Sequence, residues 1–440
     1  MNVTLVKAVV DQLNLTRNSS FDDRVWSSFS EADWEKAFTW LDLSGLALHL
    51  RDRLERMNSR EMIPVSVRER LDRCQAENRL RVQAMTEELK VLSGMFKSEA
   101  IEHLVLKGFS LYPDYCGDPA IRTQYDHDFL IRSDSVSRTA ALFQAAGYRR
   151  KISSDEHPIE YRRPDRHPGR PLELVGYYSP QLGRSIELHY RLWESAEEKI
   201  EIDLARDFFE HAAARRWNEI EYMGLGDEDA LVFQVLHAFR HILRNWCRLS
   251  AFLEIAHFLN RRSADTSFWI RFARRINEVR WVPEATMVVF CLSETLFGAP
   301  IPEAIKWQLT SARYPVLALW TERYGRNSAL ANFQSDKYSL FLHREFVQDS
   351  VTWAGIRKRR LFPVQRPHRL PAAFQRRSSR LARLWIDGCH AIRRVRFHAA
   401  SVFKYAWEYP RWMRLRRRSQ ALTVPYAQVQ STPRDSSWNC

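Results

Sequence analysis

The sequence lacks the features that would place the protein within a membrane or outside the cell. No stretch approaches the ~18 uninterrupted apolar residues of a transmembrane helix. The first residues, Met-Asn-Val-Thr-Leu-Val-Lys, lack the basic start, long apolar run and small-residue cleavage site of a secretion signal. Six cysteines are present without any C-x-x-C pair, which favours free thiols in a reducing cytosol over zinc or disulfides. We therefore expect a cytoplasmic protein.

Acidic residues are scarce in one part of the chain only. Residues 351–420 contain nineteen Arg or Lys against two acids, so this segment has a net charge of +17. The whole chain has a net charge of +14, which means that the first 350 residues sum to −3. Its basic residues alternate with aromatic ones, and residues 375–407 predict an amphipathic helix with Leu381, Leu384, Trp385 and Ile392 on its apolar side. Such a segment suits binding to an anionic membrane surface, which would give the protein a peripheral location, or binding to a nucleic-acid backbone. Docking onto the rest of the protein as a basic lid is the other alternative.

The remaining sequence has the composition of a globular protein. Hydrophobic residues make up 45% and aromatic residues 12% of a chain long enough for two or three domains. Ser30 and Asp33 predict a capped helix start, and a long helix is expected from about Val67 to Lys97. From these patterns we expect four regions: an N-terminal helical region (1–100), a catalytic core (101–210), a C-terminal helical domain (211–345) and a basic, aromatic-rich tail (346–440).

Two short apolar segments in the core predict neighbouring strands. Leu104 to Leu106 predicts a buried strand that ends in a glycine turn, and Gln124 to Ile131 predicts a second one. Because side chains alternate along a strand, Asp126 and Asp128 share one face at about 6–7 Å, whereas His127 points to the other. Like charges this close repel unless a cation lies beside them, and Mg²⁺ takes carboxylate oxygens while leaving room for substrate phosphates. A solvent-facing strand is the alternative, but the apolar residues that follow favour burial.

A third carboxylate lies on another predicted strand. Arg184 to Trp193 alternates in part, which puts Glu187 and His189 on one face, and Leu172 to Val175 is expected to pair with it in a hairpin. Glu187 could join the two aspartates around one or two metal ions. His189 could orient a carboxylate or contact phosphate, or be a structural histidine.

These motifs together resemble a known family. Their order resembles that of the uncharacterised bacterial nucleotidyltransferases, which belong to the polymerase-beta-like superfamily, over most of residues 30–300. The matching residues are Leu106-Lys107-Gly108, Arg122, Asp126-x-Asp128, Gly147-Tyr148 and Glu187-Leu188-His189-Tyr190. Two features depart from the pattern: His127 stands where the family usually has an apolar residue, and fifteen residues separate Ser110 from Asp126.

The resemblance implies a fold and a reaction. The fold would be α+β, a small mixed β-sheet core flanked by N-terminal and C-terminal helical regions. The reaction would be the Mg²⁺-dependent transfer of a nucleoside monophosphate from an NTP, such as ATP, to an acceptor hydroxyl or similar group that the sequence does not name. Asp126, Asp128 and Glu187 would be the catalytic and metal-binding residues, with two Mg²⁺ ions possible. The alternative is a weakly active or inactive member that acts as a nucleotide-, membrane- or RNA-binding factor through its tail.

Four residues near the glycine turn are candidates for nucleotide binding. A short helix from Ser110 to Tyr115 would offer its first N–H groups, aided by Gly108, to the terminal phosphates. Lys107 and Arg122 would offset the charge of the triphosphate, or be ordinary surface bases.

Three further histidines are possible substrate contacts. The resemblance implies that His157 lines the active site, whereas its sequence context alone favours a surface position. His237 and His241 share one helix face, and this spacing suggests a zinc site, but no third ligand is apparent. The resemblance places such histidines in the helical half beside the helix of Glu254, where they would close the active site or bind the acceptor.

Overall fold

The computed structural model of the protein describes residues 2–16, 22–151, 157–164, 176–204, 207–244, 246–331, 335–362 and 380–421. They form a seven-stranded mixed sheet with helices on both sides, which confirms the α+β class. Within these residues, no helix is both long and apolar enough to cross a membrane. Five cysteines, Cys74, Cys116, Cys247, Cys291 and Cys389, are free thiols.

The N-terminal part is helical, as its sequence predicted. Ser30 and Asp33 form the expected capping box at the start of the third helix, where the Ser30 hydroxyl accepts from the Asp33 N–H. The long helix begins directly after Pro64, two residues earlier than expected, because proline is well suited to the position just before a helix. The helices are α1 (Val3–Gln12), α2 (Asp23–Trp26), α3 (Glu31–Ser44), α4 (Ala47–Arg56) and α5 (Val65–Ser98).

The sheet has the spatial order β3-β4-β5-β2-β1-β7-β6. The β2–β5 and β1–β7 pairs are parallel and the other four are antiparallel. The strands are β1 (His103–Val105), β2 (Asp126–Ile131), β3 (Arg149–Arg150), β4 (Ile159–Arg162), β5 (Ser185–His189), β6 (Ala213–Trp217) and β7 (Ile220–Gly224).

The sheet extends further along the chain than the expected core. The sheet continues beyond residue 210, because β6 and β7 form a hairpin on its edge beside β1. Residues 172–175, expected to pair with β5 in a hairpin, lie outside the described residues. The described partners of β5 are β2 on one side and β4 on the other, so β5 is an interior strand.

The two faces of the sheet have different partners. One face packs on α5 and α6 (Val136–Ala145) through a cluster that includes Phe96, Phe129 and Phe143, all fully buried. Burying a side chain of this size stabilises the fold by roughly 1.5–3 kcal/mol. On the other face, Leu104 and Leu130 belong to the large core shared with the C-terminal helices. Strand alternation therefore directs Asp126, Asp128 and Glu187 toward those helices.

The C-terminal helices follow the last strand in close succession, except for α7, which lies between β5 and β6. The helices are α7 (Ser195–Glu198), α8 (Asp227–Leu243), α9 (Leu249–Arg261), α10 (Thr266–Asn277), α11 (Val282–Phe297), α12 (Glu303–Lys306), α13 (Pro315–Trp320), α14 (Arg326–Leu330) and α15 (Ser339–Phe346). A buried ion pair joins two of them, since Arg275 Nε donates to Asp229 Oδ1 at 2.7 Å.

The tail forms two helices, α16 (Ser350–Leu361) and α17 (Arg380–Ala421). The predicted helix over 375–407 is thus longer and shifted toward the C-terminus. The second half of α17 docks on the protein, with Tyr405 and Trp412 stacked on Phe341 of α15. Leu381, Leu384 and Trp385 lie outside the residues whose side chains are described, and Ile392 is exposed rather than packed.

Candidate active site

Asp128 and Glu187 lie opposite each other on parallel strands β2 and β5. His189, two residues further along β5, approaches both: its Nε2 lies 3.1 Å from Asp128 Oδ1 and 3.7 Å from Glu187 Oε2. Among the described residues, these three form the one group of metal-ligand type whose donor atoms all lie within 4.8 Å of one another. The structure thus brings together two of the three predicted acids and adds His189 to them.

Asp126 lies on the same face as Asp128, two residues earlier at the start of β2, and is half-buried. Burial raises the pKa of its carboxyl, and repulsion from Asp128 and Glu187 raises it further. Asp126 is therefore close enough to interact electrostatically with both acids, although it lies outside the tightest group. All three predicted acids therefore lie on one face of the sheet, where their negative charges repel one another.

Lys107 lies two residues beyond the end of β1 and reaches the same acids. Its Nζ donates to Asp128 Oδ1 at 2.7 Å, and its ammonium lies 5.7 Å from the ring centre of Phe233 on α8. Burial opposes the charged form of Asp128, but Lys107 and His189 outweigh it and hold the pKa of Asp128 below its usual range. Lys107, predicted to contact the triphosphate, is ion-paired with the acid cluster in this structure.

The glycine turn takes a different form from the one expected. Gly108 to Leu111 is a four-residue 3₁₀ turn, and no α-helix runs from Ser110 to Tyr115. Gly108 has φ +66°, and a Cβ there would lie 2.1 Å from the Gln124 amide nitrogen. That amide donates to the Asp126 carbonyl at 2.9 Å, so Gly108 allows Gln124 to brace the start of β2. The Ser110 hydroxyl donates to the Leu106 carbonyl at 2.8 Å, which holds this side chain within the turn.

Arg122 has a protein partner of its own. Its Nε donates to Glu254 Oε1 of α9 at 2.9 Å, and both side chains are largely buried. This ion pair holds the loop before β2 against the C-terminal helices. The charge of Arg122 is thus matched by Glu254 in the structure.

His127 does not enter the site. It points to the opposite face of β2, where its Nε2 lies 3.2 Å from Glu88 of α5. Arg184 Nε donates to the same Glu88 carboxylate at 2.6 Å. The long spacing between Ser110 and Asp126 is also accommodated, because Asn78 of α5 donates to the Ala120 carbonyl at 2.7 Å and anchors the loop. Neither departure from the family pattern displaces the acids.

His157 lies beside His189. It is buried, and the centroid of its ring lies 5.3 Å from that of His189 and 4.6 Å from that of Tyr190. Burial lowers the pKa of His157 to about 3, with His189 and Arg191 as further causes. Its Nδ1 lies 3.6 Å from Glu194 Oε2. The resemblance located this residue correctly near the acids, whereas the surface position favoured by its context is wrong.

Helix α8 covers the acid-bearing face of the sheet. Phe233 packs edge-on to His189 with ring centroids 6.4 Å apart, and His237, one turn on, is buried near Lys107. His237 and His241 contact each other through their Nε2 atoms at 3.1 Å. Burial lowers the pKa of both imidazoles, so the pair is neutral at pH 7. The described residues around this pair supply no third metal ligand, which argues against zinc.

Arg240 is a residue of this surface that sequence reasoning missed. It shares the face of α8 that carries Phe233 and His237 and is close enough to Glu187 to interact electrostatically. Burial lowers the pKa of Arg240, as does neighbouring Arg244. Within the described part of the chain, its guanidinium makes no ion pair. In the sequence, its position three residues after His237 indicates that the two side chains share one face of a helix.

Comparison with known families agrees with the site. The family model described as "Uncharacterised nucleotidyltransferase" matches residues 30–298, from the Ser30 cap to the end of α11. The chain belongs to this family, since the match covers more than half of it. It is therefore a nucleotidyltransferase, and its tail lies beyond the match. No curated protein and no solved structure was found to match the chain.

Proposed function

We propose that the protein transfers a nucleoside monophosphate from an NTP, in a Mg²⁺-dependent reaction, to an acceptor hydroxyl or similar group. The observation that carries this proposal is the pairing of Asp128 with Glu187 across β2 and β5, with Asp126 on the same face. In a nucleotidyltransferase, this cluster is the part of the molecule best suited to a divalent cation.

The donor set fits Mg²⁺. Three carboxylates on one face of the sheet offer hard oxygen ligands, and a cation would relieve the repulsion between them. Asp126, Asp128 and Glu187 would hold the ion, with His189 keeping the Asp128 carboxylate in place at 3.1 Å. Bound there, Mg²⁺ would neutralise charge on the phosphates and on the attacking and leaving oxygens.

The chain's own cations would position the nucleotide. Arg240 makes no ion pair among the described residues, although Glu198, Glu197 and Glu187 are close enough to interact with it electrostatically. Its guanidinium is therefore suited to bind a phosphate of the triphosphate. Lys107 would also bind a phosphate once a bound cation neutralises Asp128 in its place. Arg122 would act indirectly, by holding the loop before β2 through Glu254.

The acceptor would approach from the end of β2 and β5. A cavity of about 740 Å³ opens at Leu130, the cross-strand partner of His189, and extends along Arg132, Tyr190 and Trp193. Its size suits a small molecule or a side chain. Glu187, directly opposite Asp128 on β5, would accept the proton of the attacking hydroxyl.

A second function is favoured by one observation, the Lys107–Asp128 ion pair at 2.7 Å. An ammonium that substitutes for the metal would give a member that binds a nucleotide without turnover. Calorimetry with ATP in the presence and absence of Mg²⁺, followed by a pyrophosphate-release assay, separates binding from turnover.

The proposal is tested with the full chain, MgCl₂ and each of the four NTPs in turn. Pyrophosphate release or self-nucleotidylation detected by mass spectrometry should require Mg²⁺ and should disappear in an Asp126→Ala, Asp128→Ala double variant. Glu221→Gln, which alters an exposed acid on β7 of the same sheet, is the control and should retain turnover. Equal turnover in the double variant and the parent would reject the site.

A further inference from the structure

Helix α17 docks on the protein by one face only. Ser401, Tyr405 and Trp412 on this face are 0%, 5% and 2% exposed. Glu408, on the same face, accepts from Arg323 Nη2 at 2.7 Å, and Arg416 pairs with Glu345 at 2.6 Å. Their spacing of three to four residues places all five on one side of the helix.

The opposite face carries large apolar side chains in water. Ile392, Val395, Phe403 and Trp407 are 62%, 67%, 67% and 77% exposed. At about 100° per residue they form one stripe, and Phe403 and Trp407 lie nearly opposite Tyr405. The two rings stack on each other with centroids 6.2 Å apart. We call these four residues the outer stripe.

Positive charge surrounds the outer stripe. The helix contains eleven Arg or Lys against two acids. Seven of the basic residues are exposed. By the same helical geometry six of them lie on the side turned away from the protein: Arg393, Arg396, Arg411, Arg414, Arg417 and Arg418. The seventh, Lys404, donates to Ser335 Oγ at 3.3 Å. The acid Glu408 is turned toward Arg323 and does not offset them.

We propose that the outer face of α17 binds the surface of an anionic lipid membrane, with its axis parallel to that surface. Apolar side chains would enter the boundary between headgroups and acyl chains, and the flanking cations would contact lipid phosphates and carboxylates. The aliphatic members of the stripe decide between partners, because Ile392 and Val395 offer no ring for a base to stack on, whereas both bury readily among acyl chains. A second copy of the helix is disfavoured because like charges would meet.

This surface is independent of the transferase chemistry. It lies beyond residues 30–298, which the family model covers, and the docked face holds it on the C-terminal helices. Membrane binding would thus localise the enzyme without any change in the acid cluster.

The test is flotation of the full chain with phosphatidylcholine vesicles that contain either no phosphatidylserine or about 30% of it, near physiological salt. The parent should float with the anionic vesicles only. A Phe403→Ser, Trp407→Ser variant should lose at least about tenfold in partition, since two large apolar side chains no longer leave water. Arg393→Glu with Arg396→Glu should lose a similar factor through charge. Trp307→Ser, which removes a 59% exposed tryptophan elsewhere on the protein, is the matched control and should float like the parent.

Unfolding temperatures should stay close to the parent's in all variants, because the altered side chains face away from the protein. The proposal is overturned if the parent does not float with anionic vesicles, or if the stripe variant floats as well as the parent. Binding of single-stranded RNA in a gel-shift assay, without vesicle binding, would overturn it in favour of a nucleic-acid partner.

Discussion

Asp128 and Glu187 come from segments almost sixty residues apart and meet because β2 and β5 pair in parallel with these two residues opposite each other. A shift of one residue in this register would put Ile186 or Leu188 opposite Asp128 and turn Glu187 to the wrong face. The apolar residues of β5 secure the register, since both are fully buried against α5 and α6. The chemistry of the site therefore depends on packing on the far side of the sheet.

Replacement of Glu187 should affect turnover far more than folding. Glu187→Gln keeps the shape of the side chain but removes a metal ligand and proton acceptor, so pyrophosphate release should fall by at least about 100-fold. The Glu221→Gln control should remain within about twofold of the parent, since exposed surface substitutions are close to neutral. Near-normal release by Glu187→Gln would remove this residue from the mechanism.

Asp126 should be a source of instability in the metal-free protein. Burial and repulsion from Asp128 and Glu187 disfavour its charged form, so a neutral amide is better tolerated there. Asp126→Asn should unfold at the same temperature as the parent in EDTA, or about 1–3 °C higher, and should abolish Mg²⁺-dependent turnover. Scanning calorimetry in EDTA measures the difference, and a clear drop in Tm would show that the acids do not repel each other.

Arg240 should matter for the nucleotide rather than for the metal. Arg240→Met preserves most of the side-chain volume but removes the guanidinium, and the Kd for NTP should rise by about tenfold or more. Arg271→Met, which alters an exposed arginine paired with Glu228, serves as the control. Calorimetric titration with a non-hydrolysable NTP analogue gives both values, and equal affinity in parent and Arg240→Met would place the phosphates elsewhere.

Buried His343 should make the protein sensitive to mild acid. Its Nε2 lies 2.7 Å from the Glu198 carbonyl, and burial, with Arg360 nearby, lowers its pKa to about 4. Between pH ~6.5 and ~4 the unfolded chain binds a proton that the folded chain does not, so stability falls as pH falls, by about 2 kcal/mol at pH 5.

His343→Gln can still donate to Glu198 but does not titrate. Urea unfolding at pH 7.5 and pH 5 should show that the variant loses about 2 kcal/mol less than the parent over this range. His211→Gln, at an exposed histidine, should behave like the parent. An identical pH dependence in the parent and His343→Gln would mean that His343 is already protonated or accessible.

Local patterns predicted much of the fold. The capping residues Ser30 and Asp33, the break at Pro64 and the alternation around Asp126 each depend on near neighbours, and each feature formed as expected. The hairpin of β6 and β7 was missed because its strands are short and its outward residues, such as Arg216, are charged. Which apolar residues of α17 would be buried depended on contacts with distant Phe341.

The site was predictable in its composition and less so in its contacts. Strand alternation placed Asp126 and Asp128 on one face of their strand, and the resemblance to the family connected Glu187, on another strand, with them. The ion pairs Lys107–Asp128 and Arg122–Glu254 connect residues that no local pattern relates, so neither pair could be predicted from the sequence. Arg240 was missed for the same reason, because only the packing of α8 over the sheet brings it near Glu187.

The most direct test of the account is the binding of Mn²⁺, as a spectroscopic substitute for Mg²⁺, measured by electron paramagnetic resonance on the full chain with a non-hydrolysable NTP analogue. The account predicts that the parent and Glu221→Gln bind the ion, whereas Asp128→Asn and Glu187→Gln lose at least about tenfold in affinity. Equal Mn²⁺ binding in all four proteins would show that the paired acids of β2 and β5 do not hold the metal.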